Sequence, residues 1–199
     1  MPSSSRSRAE SRREELLAAA VRVFARKGYH TCRVSDIADE AGASHGLVYH
    51  YFASKDEVLE TIFRENWGPI AVAIGEIAAT EESAVEQLRK VAALVLHAWK
   101  RDREMVRVLV REISRSPLLQ ERIGEFQQAF DALEGIIVRG QKNGELDRSL
   151  DARFATYAVW GMLDELLTGW VLGRLPADPE DVDRAEATIT AMLRRALAG

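Results

Sequence analysis

Between Ser44 and Lys55 the chain sets two serine hydroxyls, two imidazoles, two phenols and an ammonium within twelve residues. Tyr49, His50 and Tyr51 each join a planar ring to an O–H or N–H, a combination suited to phosphate oxygens and thymine methyl groups. Val48 and Phe52, four apart, form the packing face of the same helix, and one of the three rings should join them in the core. Ser44 can cap this helix or meet a phosphate. Gly46 would let the backbone approach a duplex closely; a plain packing glycine is the competing reading. Lys55 opens the next helix, where its charge adds to the N-terminal dipole and could hold a phosphate, unless it is an ordinary surface lysine.

These groups need a rigid frame, and the flanking sequence supplies one. Ile37, Ala38 and Ala41 make the buried stripe of a short helix ending at Gly42, which lets the chain turn with φ > 0. Ser44 then starts the aromatic helix, so Ser44, His45, Gly46 and Leu47 stand where the second helix of a helix-turn-helix meets base edges. Upstream, Ser11-Arg12-Arg13-Glu14 reads as a capping box opening a helix with Leu17, Ala20, Val21 and Phe24 on one face and a stop at Gly28. Downstream, Ser54-Lys55-Asp56-Glu57 opens a fourth helix expected to kink or end at Gly68-Pro69. The rest has helical periods, over 83–101, 103–114, 117–142, 152–173 and 179–197, with a short helix around 70–79. The fold class is all-α, about nine helices: a basic tail over 1–10, expected to be disordered, a helix-turn-helix domain over 11–54, and a larger helical domain over 55–199.

The spacing Ile37-Ala38-x-x-Ala41-Gly42-x-Ser44-x-Gly46-x-x-Tyr49-x-x-Phe52-x-x-Lys55-x-x-x-Leu59 resembles the TetR family of one-component transcriptional regulators. Two positions depart from that pattern. Arg33 stands where a Ser or Thr often caps the second helix, which would pass the cap to Ser35. Leu47 replaces the small polar residue common in the recognition helix, so the operator sequence is not legible. The resemblance implies a homodimer on a palindromic operator of double-stranded DNA, with a small-molecule effector.

Charge is divided unevenly. Residues 1–55 hold nine Lys/Arg against six Asp/Glu, and residues 56–199 hold eighteen against twenty-five, within a net charge of −4. Arg6, Arg8, Arg12, Arg13, Arg22, Arg26, Lys27 and Arg33 could neutralise phosphates, the main sequence-independent source of DNA affinity; a solvated basic face is the alternative. No run of about 18 apolar residues predicts a membrane span. The start MPSSSRSRAESRREE lacks the apolar segment of a secretory signal, and the lone Cys32 excludes an internal disulfide, so a cytoplasmic protein is expected. Four histidines and one cysteine give no zinc-site spacing, and no metal or cofactor is expected.

Helix 152–173 is apolar nearly all round. Trp160, Leu163, Leu167, Trp170 and Val171 lie along one side, and Phe154, Ala158, Gly161, Glu165, Thr168 and Leu172 mark another. A helix buried on both sides needs two partners. The second is expected to be the same helix of another subunit, joined by Ala185, Ile189, Met192 and Leu193 of the last helix in a four-helix contact; a larger monomer core is the alternative.

Asp164 and Glu165 interrupt this helix and require partners, because unpaired charge in apolar surroundings is costly. An Arg, the dimer interface or a cationic ligand would serve. Being adjacent, they point about 100° apart around the helix, a poor arrangement for paired acid/base work, and no nucleophile triad or phosphate loop accompanies them; an enzyme is not expected.

The segment from Leu133 to Leu172, notably Gly161 to Val171, is similar to the acyl-CoA-responsive TetR regulators of fatty-acid degradation. That implies an effector pocket for a long acyl chain, with the CoA head group near basic residues. Met105, Leu109, Phe126, Phe130, Leu133, Tyr157 and Trp160 could line it, beside Asp164, or could be ordinary core. Arg103, Arg107, Arg111 and Arg115 recur every four residues and could hold CoA phosphates, or pair with Glu104, Glu112 and Glu121. The fourth helix, which touches both halves, is the expected route between effector and DNA.

Overall fold

The computed structural model describes residues 3–113 and 123–197, which carry nine helices. We number them α1 (Ser3–Lys27), α2 (Val34–Glu40), α3 (His45–Tyr51), α4 (Lys55–Ala78), α5 (Ala84–Arg101), α6 (Arg103–Ile113), α7 (Ile123–Asn143), α8 (Ala152–Val171) and α9 (Pro179–Ala196). The first three form the reader and the rest a helical body.

The punctuation follows the turn chemistry. Gly28 and Gly42 take φ of +82° and +57°, ending α1 and completing the turn before α3. Ser44, Ser54, Ser83 and Asp151 cap α3, α4, α5 and α8, each accepting a backbone N–H three residues on. The α2 start differs from expectation. Its N-cap is Arg33, and the N–H of Arg33 donates to Asp36 at 2.8 Å; Ser35 lies inside the helix. An Arg side chain has no acceptor, so the carboxylate three residues on does the work.

Two boundaries need correction. The chain is already helical from Ser3, so the tail expectation fails over residues 3–10 and Ser11 is not a cap. No Gly or Pro interrupts Ser3–Lys27, so nothing in that stretch stops a helix growing upstream. Likewise α4 runs unbroken through Gly68 and Pro69 and absorbs the separate helix expected at 70–79. Pro69 removes one backbone donor, but it sits on the exposed side, where water can satisfy the freed carbonyl of Glu65.

In the reader, α1 buries Leu16, Ala20 and Phe24 against Ile37 and Ala38 of α2, with Val48 and Phe52 closing the far side. In the body, α4, α5, α7 and α8 enclose the core, α9 packs along α5, and α6 runs between α1 and α8. The reader thus touches the body through α6 as well as through the start of α4.

Candidate DNA interface and effector cavity

On the reader surface, His45, Gly46, Tyr49 and His50 all face solvent, Tyr49 with 56 % of its surface exposed. A Cβ built on Gly46 meets nothing within 4 Å, so this glycine borders open space and packs against nothing. Ser44 Oγ accepts from Leu47 N–H at 3.3 Å and is therefore a cap at least. Tyr51 is the ring that joins the core, half-buried and edge-on to His50 at 5.2 Å, and Leu47 is also half-buried.

The cations tell a different story. Arg22 and Arg26 both bind Glu40 at 2.8 Å, Lys27 binds Asp36 at 2.6 Å, Arg12 binds Glu15 at 2.5 Å and Arg13 binds Glu65 at 2.6 Å. Their partners hold the Glu40 and Asp36 carboxyls below the usual range, chiefly through these hydrogen bonds. Most of the predicted phosphate contacts are thus already engaged, Arg12, Arg22, Arg26 and Lys27 within the reader and Arg13 with α4 of the body; the side chains of Arg8 and Arg33 remain exposed, and that of Arg6 lies outside the described residues. Lys55 is neither a surface lysine nor a free N-terminal charge. Its Nζ donates to the carbonyls of Tyr29 and Cys32 at 2.8 and 2.9 Å and sits 4.3 Å from the centre of the Tyr29 ring. Two hydrogen bonds and a cation–π contact clamp the α1–α2 loop to α4.

Tyr29 is the hub of that clamp. Its hydroxyl donates to the Asp56 carboxylate, and its ring meets Phe24 and His30 edge-on at 5.4 and 5.3 Å. Burial first, and then the hydrogen bond to Asp56, push its phenol well above the usual range. His30 in turn lies 3.8 Å from Glu112, a buried carboxylate of α6.

The body contains a cavity of about 600 Å³ walled by α4, α5, α6, α7 and α8, within the ~300–1,000 Å³ usual for small-molecule sites. Trp67, Val95, Leu109, Phe130, Trp160 and Leu167 give it an apolar wall, and Arg111, Gln127, Tyr157 and Asp164 supply polar atoms. Trp160 sits edge-on to Trp67 at 5.5 Å and 5.4 Å from Phe130, which is 4.9 Å from Tyr157, so four rings from α4, α7 and α8 form one continuous surface. Asp164 lies at the edge of this apolar lining, and desolvation, then the neighbouring Glu165, raise its pKa.

Of the predicted effector residues, Leu109, Arg111, Phe130, Tyr157, Trp160 and Asp164 converge on this cavity. Leu133 is instead 1 % exposed in the core, and Met105 lines a second cavity between α4, α5 and α6. The side chain of Phe126, with Arg115 and Glu121, lies outside the described residues. The arginine ridge does not act as one surface. Arg103 donates to the Ala177 carbonyl at 2.7 Å and covers Trp99, Arg107 is half-buried away from the cavity lining, and Arg111 both lines the cavity and donates to the Ala25 carbonyl of α1 at 3.3 Å. Four-residue spacing drifts about 40° per step around a helix, enough to give the arginines different surroundings.

Helix α8 has a buried and an outward face. Leu163, Leu167, Trp170 and Val171 are buried, while Phe154 (77 % exposed), Ala158, Gly161, Glu165 and Leu172 face outward. Thr168 and Leu172 also edge the cavity. On α9, Met192 is 48 % exposed, but Ile189 and Leu193 are buried at 4 % and 1 % within the monomer and cannot be interface residues. They face α5, because an amphipathic helix can point one stripe only one way.

Sequence spacing gave no sign of one further cluster. His97 of α5 meets Glu186 and Asp183 of α9 at 2.9 and 3.5 Å, and the same carboxylates take Arg89 and Lys100 at 2.9 and 2.5 Å. A His and two carboxylates could hold a cation, but two basic side chains already match the acids, so the cluster is an α5–α9 ion-pair network. No helix among the described residues is long and apolar enough to cross a membrane.

Two family models match the chain: bacterial regulatory proteins of the tetR family over residues 16–62, and the C-terminal region of YsiA-like proteins over residues 63–178. The chain is 32 % identical over 160 residues to the fatty acid metabolism regulator protein of Bacillus subtilis, covering 79 % of this chain and 82 % of that one. It is 29 % identical over 157 residues to the HTH-type transcriptional repressor KstR2 of Mycolicibacterium smegmatis, covering 75 % and 77 %. Among solved structures, the transcriptional regulator FadR of Bacillus subtilis in complex with stearoyl-CoA superposes with a TM-score of 0.80 at 28 % identity over 92 % of this chain and 98 % of that one. With a matching reader, a matching body and a relative of the same length and fold, this chain belongs to the TetR family of DNA-binding transcriptional regulators, and its C-terminal region is YsiA-like.

Proposed function

We propose that the protein is a homodimeric repressor released from a palindromic operator by a long-chain acyl-CoA. The observation that carries this reading is the aromatic-walled cavity with Arg111 at its edge, in a chain whose relative FadR was crystallised with stearoyl-CoA. The acyl chain fills the apolar part. The CoA end stays near Arg111 and Gln127, where a guanidinium can take a phosphate oxygen. On the reader, Ser44 to Leu47 with Tyr49 and His50 approach the bases and backbone, and Arg33 adds a phosphate contact. The dimer forms through Phe154, Ala158, Gly161 and Glu165 of α8 with Met192 of α9, where the small residues allow close approach.

Coupling runs through α6 as well as α4. Arg111 is both a cavity wall and a hydrogen-bond donor to the last turns of α1, and the next residue, Glu112, faces His30 of the reader. A ligand phosphate that recruits Arg111 competes with the Ala25 carbonyl and frees the reader to reorient. The ligand acts only through its differential affinity for the two arrangements.

The test is anisotropy of labelled DNA from the region flanking the protein's own gene, at fixed salt, during titration with octadecanoyl-CoA. Release by octadecanoyl-CoA but not by free CoA is expected. Tight binding that octadecanoyl-CoA leaves unchanged would reject the effector and keep the regulator.

A further inference from the structure

The second cavity, about 400 Å³ between α4, α5 and α6, shares four lining residues with the first: Ile70, Ala98, Val106 and Leu109. The two spaces are therefore adjacent, with these four residues between them. The four residues come from three helices, α4, α5 and α6. Ala98 contributes only a methyl group and Leu109 is a γ-branched side chain with alternative rotamers, whereas the β-branched Ile70 and Val106 are stiff at χ1 and form the fixed part of the partition. Ala73, Leu94 and Met105 give the second cavity a half-buried apolar lining, while the exposed Glu65, Pro69, Arg101 and Asp102 stand at its rim. The polar groups of the first cavity, Arg111, Gln127 and Asp164, belong to its lining alone.

We propose that the second cavity is the distal compartment of the effector tunnel, and that the partition of Ile70, Ala98, Val106 and Leu109 sets the longest chain the protein accepts. The inference rests on the acyl-CoA reading above. A straight alkyl chain held at its polar end by the first cavity passes the partition by displacing side chains, and its end reaches a second apolar space. A fused-ring ligand is too broad to do so. Each methylene that leaves water on the far side improves affinity roughly fourfold.

The test compares dodecanoyl-CoA with octadecanoyl-CoA by isothermal titration on the full chain and on two variants. Ala98→Leu thickens the partition, and Leu94→Phe fills the second cavity without touching the lining of the first. Leu94 is half-buried, so its variant keeps a folded protein available should Ala98→Leu prove overpacked. Leu94→Phe should weaken octadecanoyl-CoA about tenfold or more, the loss of two or three buried methylenes, and leave dodecanoyl-CoA within about twofold; Ala98→Leu, which also borders the first cavity, should weaken octadecanoyl-CoA more than dodecanoyl-CoA. Octadecanoyl-CoA affinity unchanged in both folded variants, or equal losses for the two lengths, would overturn the inference and leave the effector reading standing. Failure of the wild type to bind either thioester would overturn that reading and the inference with it.

Discussion

The reader and the body solve opposite problems. The reader is held by polar bonds at its surface: Arg22 and Arg26 on Glu40, Lys27 on Asp36, Lys55 on two loop carbonyls. Its rings at Tyr49 and His50 are left exposed. The body is held by apolar packing of Leu88, Leu96, Leu133, Ile136 and Leu163, yet leaves a space of about 600 Å³ at its centre. A surface that must meet a polyanion needs fixed geometry with free polar tips. A sensor needs unfilled apolar volume, and close-packed interiors rarely leave it without a use.

The contrast can be broken most forcefully in the body. Leu193→Ala should destabilise the fold by about 2–5 kcal/mol through lost packing and a residual hole, whereas Met192→Ala should change monomer stability by under about 0.5 kcal/mol and weaken dimerisation. Urea unfolding beside sedimentation velocity separates the two, and similar stabilities would return Leu193 to the interface. In the reader, Tyr49→Ala with His50→Ala should cost about 2–4 kcal/mol of operator binding with the thermal midpoint unchanged. Retained sequence-specific binding removes these rings from the interface.

Arg111→Ala tests the link between the regions. It should leave octadecanoyl-CoA bound, more weakly, while reducing its effect on DNA affinity by about 1–3 kcal/mol, the usual scale of coupling; an unchanged ratio of DNA affinities with and without ligand would reject the route through α1. Ser54→Ala, which removes the cap between reader and body, should cost about 1 kcal/mol in urea unfolding.

The smallest effect is a pH signature. Desolvation against the cavity lining, then the neighbouring Glu165, raise the Asp164 pKa in the folded state, so the folded protein holds the proton more tightly than the unfolded chain. The charged carboxylate therefore lowers stability fully above the raised folded value, and that penalty vanishes as pH falls below the ordinary value of 3.8. Asp164→Asn should raise the thermal midpoint slightly at pH 7 and not at pH 3.5; a lower midpoint at pH 7 would mean that the carboxylate has a partner.

Much of the reader was legible because its signals are local. A glycine at position 42, a serine at 44 and apolar residues at 37, 38 and 48 fix a turn and two helices within fifteen residues, and the structure places each as expected. Lys55 was not legible: its carbonyl partners lie 23 and 26 residues upstream, and only folding brings them together. The pairing of Arg22 and Arg26 with Glu40 is equally non-local, and so a basic stretch read as a phosphate surface became an internal network.

In the body, period alone found the helices but could not choose among apolar faces. Ile189, Met192 and Leu193 are near neighbours in sequence, yet α5 covers the first and third and leaves Met192 outside. Most of the helices, the caps at Ser44 and Ser54, the turn at Gly42 and the family were determined by sequence alone, because each depends on residues within a few positions of one another or on their spacing. The cavity, the partition beside it, the link from Arg111 to Ala25 and the sorting of α8 and α9 into inner and outer faces were decided only in tertiary structure. Each of those is a relation between helices, set by which surface finds a neighbour.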